Sequence, residues 1–264
     1  MKNIAIIAGG NSSEYEVSMK SGKNIYDEVD ETRYNKYLVV LKERDWHVEI
    51  GEEKFPVDKN DFSFTRNGEK ILFDFAYITI HGVPGENGLL QGYLDMMGVP
   101  YGCCNVLASA LTFDKHTCNT YLKSYGVNVA DSVMLIRGMA YDVNEIINEV
   151  GLPCFVKPNA EGSSFGVTKV KEAAQLEDAL KKSFAHCREV LIETFIDGTE
   201  LTCGVVKAGD MDITMPIAEV VPKNEFFDFE AKYDPTKSDE IIPARISPEL
   251  TNRIKILSSM IYDI

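Results

Sequence analysis

The feature that most constrains the fold is the segment NIAIIA at residues 3–8, which is apolar throughout after Asn3 and ends at the glycine pair Gly9-Gly10. A strand with one face in water alternates apolar and polar side chains, whereas a strand covered on both faces is apolar throughout. The run therefore predicts a buried core strand of a parallel α/β sheet. The glycines predict a tight turn, and the residues after them predict a helix through about Ile25.

The first part of the chain continues this alternation of strands and helices. YNKYLVVL and FDFAYITI predict further strands, LLQGYLDMMG predicts a helix, and VPYG predicts a short fourth strand. Residues 42–70 are more polar and predict hairpins or loops around the sheet. We therefore expect an α/β domain over residues 1–104.

The rest of the chain has a different pattern. One helix is predicted from Phe113 to Tyr125, and strands such as CFVKP and VLIETFI are joined by loops, with helices to one side. ELTCGVV and DITMPIAEVV each predict one strand. The pattern is typical of an α+β region, which we divide into residues 105–190 and 191–264. Segment Pro222–Pro243 is aromatic and mixed in charge, and it predicts a mobile lid.

Charge and composition exclude several classes of function. The 264 residues carry a net charge of −14, which argues against nucleic acid or an anionic membrane as a partner. No apolar run reaches the roughly 18–20 residues of a membrane-spanning helix, and the N-terminus is typical of a core strand rather than a signal peptide. The six cysteines contain no CxxC pair, so we expect reduced thiols and a cytoplasmic protein.

The loop NAEGSSFG lies between two predicted strands, CFVKP and VTKV. Its glycines and serines allow backbone N–H groups to point at phosphate oxygens, although the sequence is not a P-loop motif. An ordinary hairpin turn would have the same composition. Lys157 favours the phosphate interpretation, because a lysine inside an apolar strand is costly to bury unless it meets an anion.

Two glutamates follow the first glycine turn, in GGNSSEYEVS. Ser13 and Glu16 have the spacing of a capping box, in which Ser13 caps the helix and Glu16 reaches back to the Ser13 N–H. Glu14 would then be the first helical residue, pointing in a different direction from Glu16. Glu14 is thus the glutamate left to face a ligand; the alternative is a surface charge that complements the helix dipole.

Six segments resemble, in order, the motifs of one enzyme family. They are GGNSSEYEVS, IHGVPGENGLLQGYLDMMGVPYGC, ASALTFDK, FVKPNAEGSSFGVTKV, VLIETFIDGTEL and FDFEAKY, and they span nearly the whole chain. The pattern resembles the D-alanine–D-alanine ligases, which are ATP-grasp enzymes. The resemblance implies an ATP-grasp fold, with a Rossmann-like N-terminal domain followed by two α+β lobes that hold ATP between them.

The resemblance also implies a reaction. The carboxylate of one D-alanine attacks the γ-phosphate of ATP to form an acyl phosphate, and the amine of a second D-alanine then displaces the phosphate. The product, D-alanyl-D-alanine, enters peptidoglycan synthesis, so the protein would contribute to cell-wall biogenesis and cell shape. The family further implies a homodimer.

The residues that the resemblance assigns to ATP share positions at strand ends, in the flap and in the lid. They are Lys115 and Lys157 on the phosphates, Lys232 on the γ-phosphate, Ser164 in the flap, Glu193 on the adenine amino group, Thr194, Phe195 and Ile196 in the adjoining hinge, Glu200 on the ribose, and Phe227 beside the nucleotide, where some members have tyrosine. The three lysines would supply the positive charge that the acidic chain as a whole lacks.

The resemblance implies a second group of residues, at the amino-acid substrate. Glu14 and His81 are expected to contact the first D-alanine, with Glu14 on its ammonium group. Glu14 would act with Ser163 and Tyr233, which hydrogen-bond to each other and connect flap and lid. Tyr233 also favours an amine as the acceptor, because related ligases that make D-alanyl-D-lactate differ at this lid position.

Phosphoryl transfer from ATP needs a divalent metal ion, Mg²⁺ or Mn²⁺. The resemblance puts the metal ligands, together with an arginine and a glycine-serine turn, after the point where this chain stops at MIYDI. Arg245 precedes the last helix and cannot take the role of that arginine. We therefore expect no metal ligand within the 264 residues and no turnover by this chain alone.

Two other functions stay open at this point. One is another ATP-grasp ligase that joins a carboxylate to an amine, against which EGSSFG, EAKY, Glu14 and His81 argue. The other is a truncated nucleotide-binding module without catalytic activity, which the missing metal ligands favour. A measurement of protein mass or gene length would separate this module from an enzyme.

Overall fold

The structure, a computed structural model, describes residues 1–162, 164, 166–223, 226, 232, 234 and 236–264. The chain forms two compact units, Met1–Cys118 and Asn119–Ile264. Each unit has its own main sheet and its own hydrophobic core. The finer division into residues 1–104, 105–190 and 191–264 stays a prediction.

The first unit contains a seven-stranded mixed sheet. Its strands are β1 (Lys2–Gly9), β2 (Tyr34–Lys42), β3 (Asp45–Ile50), β4 (Glu53–Asp58), β5 (Ser63–Arg66), β6 (Glu69–Leu72) and β7 (Phe75–Ile78), in the order β6-β5-β4-β3-β2-β1-β7. Strands β2, β1 and β7 pair in parallel, whereas β2 to β6 pair antiparallel. The predicted parallel pairing is therefore confirmed for β1 and its neighbours, and residues 42–70 form hairpins beside them, as predicted.

The segment NIAIIA at residues 3–8 forms most of β1, and the structure confirms that both faces of this strand are buried. Ala5 and Ile7 belong to one hydrophobic core, whereas Ile6 and Ala8 belong to another. Successive side chains of a strand point to opposite faces of the sheet. A strand with a core on each side therefore has no position in its middle for a polar residue.

Helices α1 (Tyr15–Glu28), α2 (Leu89–Met97), α3 (Val106–Phe113) and α4 (Lys115–Ser124) follow the strands of this part of the chain. The helix predicted from Phe113 to Tyr125 is confirmed over most of its length as α4, but Phe113 belongs to α3, because an extended Asp114 separates the two helices. Its carboxylate accepts from the Thr117 N–H at 2.8 Å, as a helix cap does. The strand predicted at VPYG is wrong, since Tyr101 makes one isolated bridge, to Ala76.

Helix α1 lies directly on the parallel strands because two of its residues are small. A Cβ atom on Gly22 would come within 2.5 Å of the Ala8 Cβ, so a larger residue would push the helix away. One turn earlier, the buried Ser18 hydroxyl accepts from the Gly9 N–H at 2.9 Å and donates to the Thr79 carbonyl at 3.0 Å. Ser18 thus connects the helix to the chain at the ends of β1 and β7.

The second unit contains a four-stranded antiparallel sheet. Its strands are β8 (Ser132–Ile136), β9 (Cys154–Pro158), β10 (Thr168–Val170) and β11 (Glu189–Thr194), in the order β10-β9-β11-β8. Helices α5 (Val143–Val150) and α6 (Leu176–His186) pack on one face, and the core between them includes Val156, Leu180, Val190 and Ile192. This arrangement confirms the predicted α+β region.

The remainder of the second unit consists of short strands and one long helix. They are β12 (Glu200–Thr202), β13 (Val205–Ala208), β14 (Met211–Thr214), β15 (Ala218–Pro222), β16 (Ser238–Ile241) and α7 (Pro248–Asp263). Strands β12, β15 and β16 form one sheet, and β13 and β14 form a hairpin. ELTCGVV and DITMPIAEVV, each predicted as one strand, therefore form two strands apiece. Much of the predicted lid, Pro222–Pro243, lies outside the described residues.

No helix in the described ranges is both long enough and apolar enough to cross a membrane. The longest, α7, has 16 residues and begins with the Ser247 hydroxyl as its cap.

Ser18→Ala should destabilise the protein by about 1–3 kcal/mol, because it leaves a buried N–H and a buried carbonyl without their partner. Denaturant unfolding followed by circular dichroism measures this difference. Ser124→Ala is the matched control, since Ser124 is exposed and bonds to a carbonyl of its own helix. An equal loss of stability in the two variants would contradict the role given to Ser18.

Candidate active site

The predicted capping box at the start of α1 is wrong. Glu14 is the N-cap residue, so Ser13 lies one residue too early and Glu16 is the second helical residue. The Glu14 N–H instead donates to the Ser12 hydroxyl at 3.2 Å, and this hydroxyl donates to the His81 carbonyl at 2.7 Å. The hydroxyl at the helix start therefore connects two loops rather than closing a local box.

The two glutamates nevertheless differ in their exposure to solvent. Glu14 is 6% exposed, whereas Glu16 is exposed on the first turn of α1. One Glu14 carboxylate oxygen lies 4.0 Å from the point that a Cβ atom on Gly82 would occupy, so the side chain faces the loop after β7. Glu14 is thus not the surface charge of the alternative interpretation.

The loop that carries His81 is held against the first glycine turn. The Asn11 N–H donates to the Val83 carbonyl at 2.8 Å. The His81 Nε2 lies 3.4 Å from the hydroxyl of Ser21 on α1. The structure therefore brings Glu14 and His81 to one end of the first sheet, although they are far apart in sequence.

The four-stranded sheet of the second unit has one apolar face and one mixed face. Along β9, Val156 points to the core under α5 and α6, so Phe155 and Lys157 point to the opposite side. On β11, Leu191 lies opposite Lys157, and Glu193 lies opposite Phe155. We call this second side, defined by Phe155, Lys157, Leu191 and Glu193, the charged face.

Lys157 and Glu193 form an ion pair on the charged face. The second carboxylate oxygen, Glu193 Oε1, accepts from Asn119 Nδ2 at 2.9 Å. Because Glu193 is 8% exposed, these two partners stabilise a charge that would otherwise be costly to bury. Sequence reasoning predicted an anion at Lys157 but missed Asn119, since no spacing rule connects residues 74 positions apart.

The segment at the end of β11 contributes an aromatic ring to the charged face, and two of its backbone N–H groups are hydrogen-bonded within the protein. The Phe195 ring lies 5.9 Å from the Phe155 ring, and the Lys169 Nζ lies 3.8 Å from the Phe195 ring centre. The N–H groups of Thr194 and Phe195 donate to carbonyls of the same unit at 3.0 and 3.2 Å. These two donors are therefore engaged within the protein, whereas Ile196 is exposed.

Glu200, at the start of β12, interacts electrostatically with Lys232. The surrounding protein desolvates the carboxylate and raises the pKa of Glu200, and the positive charge of Lys232 acts in the opposite direction. The side chain is still exposed to water. Two residues predicted to contact ATP are thus close enough to affect each other.

Two described residues of the glycine-rich loop between β9 and β10 have a left-handed backbone. Ser164 has φ 60° and Gly166 has φ 68°, in the left-handed region. A Cβ atom on Gly166 would lie 2.9 Å from the His186 ring, so both backbone and space require glycine there. The other flap and lid residues of the prediction lie outside the described residues: Ser163, Phe227 and Tyr233.

Lys115 is the first residue of α4 and is half-buried. It belongs to the first unit, as Glu14 and His81 do. The other described residues predicted for ATP belong to the second unit: Lys157, Ser164, Glu193, Thr194, Phe195, Ile196, Glu200 and Lys232. Their individual roles stay predictions.

Arg245 has a partner within the fold, Glu219 on β15. Its Nε and Nη2 donate to the two Glu219 oxygens at 3.0 and 2.6 Å, and its N–H adds a bond of 3.0 Å. The carboxylate is buried, while the arginine side chain is mostly exposed. These bonds hold the pKa of Glu219 at about 2. The pair anchors the segment before α7 to β15.

The described part of the chain contains no group of three His, Cys, Asp or Glu side chains that could hold a metal ion. The described residues therefore do not fit a metal site of their own.

Two family profiles match the chain. One, described as D-ala D-ala ligase N-terminus, matches residues 3–104, and the other, described as D-ala D-ala ligase C-terminus, matches residues 121–264. The chain belongs to the D-alanine–D-alanine ligase family. The resemblance found in the sequence motifs is therefore confirmed.

Curated members of the ligase family are similar over the whole of this chain. The D-alanine–D-alanine ligase of Bacteroides fragilis strain YCH46 is 53% identical over 264 residues, which are 100% of this chain and 81% of that protein. The ligase of Flavobacterium johnsoniae is 47% identical over 265 residues and is covered to 82%.

Solved structures of ligases are similar to the fold. The VanG D-Ala:D-Ser ligase from Enterococcus faecalis aligns with a TM-score of 0.83 and 31% identity, over 99% of this chain and 82% of that one. The D-alanine–D-alanine ligase from Bacillus anthracis complexed with ATP aligns with a TM-score of 0.76 and 27% identity, over 100% of this chain and 77% of that one. The predicted ATP-grasp fold with a Rossmann-like N-terminal domain is confirmed.

Glu219→Gln should lower stability at neutral pH and should do so less at acid pH. The pKa of Glu219 is lowered from 4.5 to about 2 in the folded protein, so the ionised carboxylate stabilises the fold above the unfolded value. This stability is lost as the pH falls from about 4.5 towards about 2. Denaturant unfolding of parent and variant across this range measures the shrinking difference.

The matched control is Glu240→Gln, which removes an exposed carboxylate from the neighbouring strand β16. If the difference between parent and Glu219→Gln stayed constant from neutral pH to pH 2, the Arg245 pair would not be its source.

Proposed function

We propose that this chain has the activity of its family, the ATP-dependent ligation of two D-alanines to D-alanyl-D-alanine for peptidoglycan precursor synthesis. Membership over the whole chain supports this activity. The geometric observation that supports it best is the Lys157–Glu193 pair on the charged face. An ammonium group and an acceptor-only carboxylate lie side by side there, as needed for the phosphates and the amino group of one ATP molecule.

In this proposal the Lys157 ammonium group leaves Glu193 when ATP binds and pairs with the phosphates instead. Lys115 and Lys232 add positive charge, because the transferred phosphoryl group carries negative charge through the transition state. The turn at Ser164 directs backbone N–H groups towards the phosphates. These residues bind and orient the γ-phosphate for attack by a carboxylate.

The base and ribose of ATP occupy the rest of the charged face. Glu193 accepts from the adenine amino group, and the Phe195 ring packs beside the base, where Phe227 is also proposed to lie. Because the N–H groups of Thr194 and Phe195 are engaged, further contacts to the base come from carbonyls and from Ile196. Glu200 accepts from the ribose hydroxyls.

The first D-alanine is proposed to bind at Glu14 and His81. A carboxylate makes a strong, charge-assisted hydrogen bond to an ammonium group, and burial of Glu14 strengthens it. The D-alanine carboxylate attacks the γ-phosphate and ADP leaves. The amine of the second D-alanine then attacks the acyl phosphate, and phosphate leaves. Ser163 and Tyr233 are proposed to hold the flap and lid together during these steps.

Mg²⁺ or Mn²⁺ is the proposed metal ion, which neutralises phosphate charge when bound. The described residues offer no grouped ligands for it.

The proposed assembly is a homodimer, and the proposed location is the cytoplasm. Apolar side chains exposed on α2 and α3, namely Leu89, Met96 and Leu107, offer a surface for a second copy. Six free cysteines fit a reducing compartment.

ADP release coupled to a spectroscopic assay tests the function. D-Alanine should support release and L-alanine should not, whereas D-lactate or D-serine as a better acceptor would point to a related ligase.

Lys157→Ala should abolish thermal stabilisation by ATP while leaving the protein folded, because the phosphates lose a cation of the charged face. A thermal shift assay with and without ATP measures this. Lys181→Ala is the control, since Lys181 is an exposed lysine on α6. Stabilisation of Lys157→Ala equal to that of the parent would reject the phosphate role.

Glu14→Gln should raise the KM for the first D-alanine by about tenfold or more, because an ammonium group loses its charged partner. Glu16→Gln should have almost no effect, since Glu16 is exposed. Steady-state kinetics compares the two variants. Equal effects of the two substitutions would defeat the assignment of Glu14.

A further inference from the structure

Asn119 is the second partner of Glu193, and the proposed reaction gives it no role. Its Nδ2 donates to Glu193 Oε1 at 2.9 Å, while Lys157 holds Oε2. Side chains from two different elements, α4 and β9, therefore hold the two oxygens of one buried carboxylate.

The two partners of Glu193 behave differently when a nucleotide binds. Lys157 can pair with Glu193 or with phosphate oxygens, and the phosphates carry the larger negative charge. Once Lys157 has moved, Oε2 needs another donor, because an unpaired buried carboxylate is costly. The Asn119 amide is neutral, so the phosphates attract it much less strongly than they attract the Lys157 ammonium group. It therefore keeps its hydrogen bond to Oε1.

We infer that Asn119 is a positioning residue that sets the base specificity of the nucleotide site. It holds the Glu193 carboxylate in one orientation after Lys157 has left, so that Oε2 accepts from an exocyclic amino group. A carboxylate has acceptors only, so the same fixed oxygen repels a base that carries a carbonyl there. The inference rests on the proposed function, in which Glu193 faces the base.

A purely structural role would have a different consequence. The Asn119–Glu193 bond also connects α4 to β11, so its loss lowers stability in either case. A structural link alone would leave the preference between two bases unchanged. The preference is therefore the quantity to measure.

The experiment compares ADP with IDP, which has a carbonyl group where ADP has the amino group. Isothermal titration calorimetry gives the two Kd values for each protein. The parent should bind ADP on the order of a hundred-fold more tightly than IDP, because IDP leaves buried polar groups unpaired. Asn119→Asp keeps the size of the side chain but replaces the donor with an acceptor that repels Glu193. Its preference should fall below about tenfold.

Two further variants sharpen the comparison. Asn119→Gln keeps an amide donor on a longer side chain and should restore part of the preference. Asn144→Asp makes the same chemical change at an exposed position on α5 and should keep the preference of the parent. The ratio of two affinities within one protein does not depend on how much of the sample is folded. If Asn119→Asp does not fold, Asn119→Ala provides the same comparison.

The outcomes separate the inference from the function on which it rests. A parent that binds neither nucleotide would reject the proposed ATP site itself. A parent that binds ADP and IDP equally would reject base recognition by Glu193, and the role of Asn119 with it. A parent that prefers ADP, with an unchanged preference in Asn119→Asp or Asn119→Ala, would overturn the role of Asn119 alone.

Discussion

The antiparallel pairing of β9 with β11 gives the sheet of the second unit two faces with opposite requirements. One face must be apolar and the other holds charged side chains, and the packing of the unit around this sheet depends on that division. One face has to be apolar because α5 and α6 cover it, and Val156, Val190 and Ile192 meet that need. Alternation along each strand then puts Lys157 and Glu193 together on the other face. Their charges neutralise each other, so a face suited to a charged ligand is tolerated in its absence.

In the first unit, the predicted substrate residues lie at one edge of a set of parallel strands. The carboxyl ends of β1 and β7 meet at one edge of the sheet, where ligands of open α/β sheets generally bind. The Gly9 turn, Glu14 and the loop at His81 all lie at this edge. Ser18 of α1 connects the two strands at this edge. Its one hydroxyl accepts from the Gly9 N–H at the end of β1 and donates to the Thr79 carbonyl just after β7. The antiparallel hairpins of residues 42–70 extend the sheet on the other side of β2.

An acidic chain can still bind an anionic nucleotide, because local charge matters more than net charge at short range. The chain has a net charge of −14, yet Lys157 is held on the charged face and Lys232 acts on Glu200. The buried carboxylates Glu193 and Glu219 each have named partners. These two buried charges are therefore paired within the second unit, and ligand binding at Glu193 would exchange partners rather than create a new buried charge.

The sequence by itself determined those features that depend on neighbours along the chain or on a whole pattern of motifs. It specified the burial of β1 on both faces, the strand CFVKP and membership of the family, whereas its capping-box argument for separating Glu14 from Glu16 was wrong. Only the tertiary structure decided which hydroxyl binds the Glu14 N–H, where α3 ends and α4 begins, and that Asn119 holds Glu193. The physical reason is one of range: helix and strand periodicity relates residues a few positions apart, whereas the Asn119–Glu193 bond joins residues 74 apart, which meet only once strand register and helix packing are set.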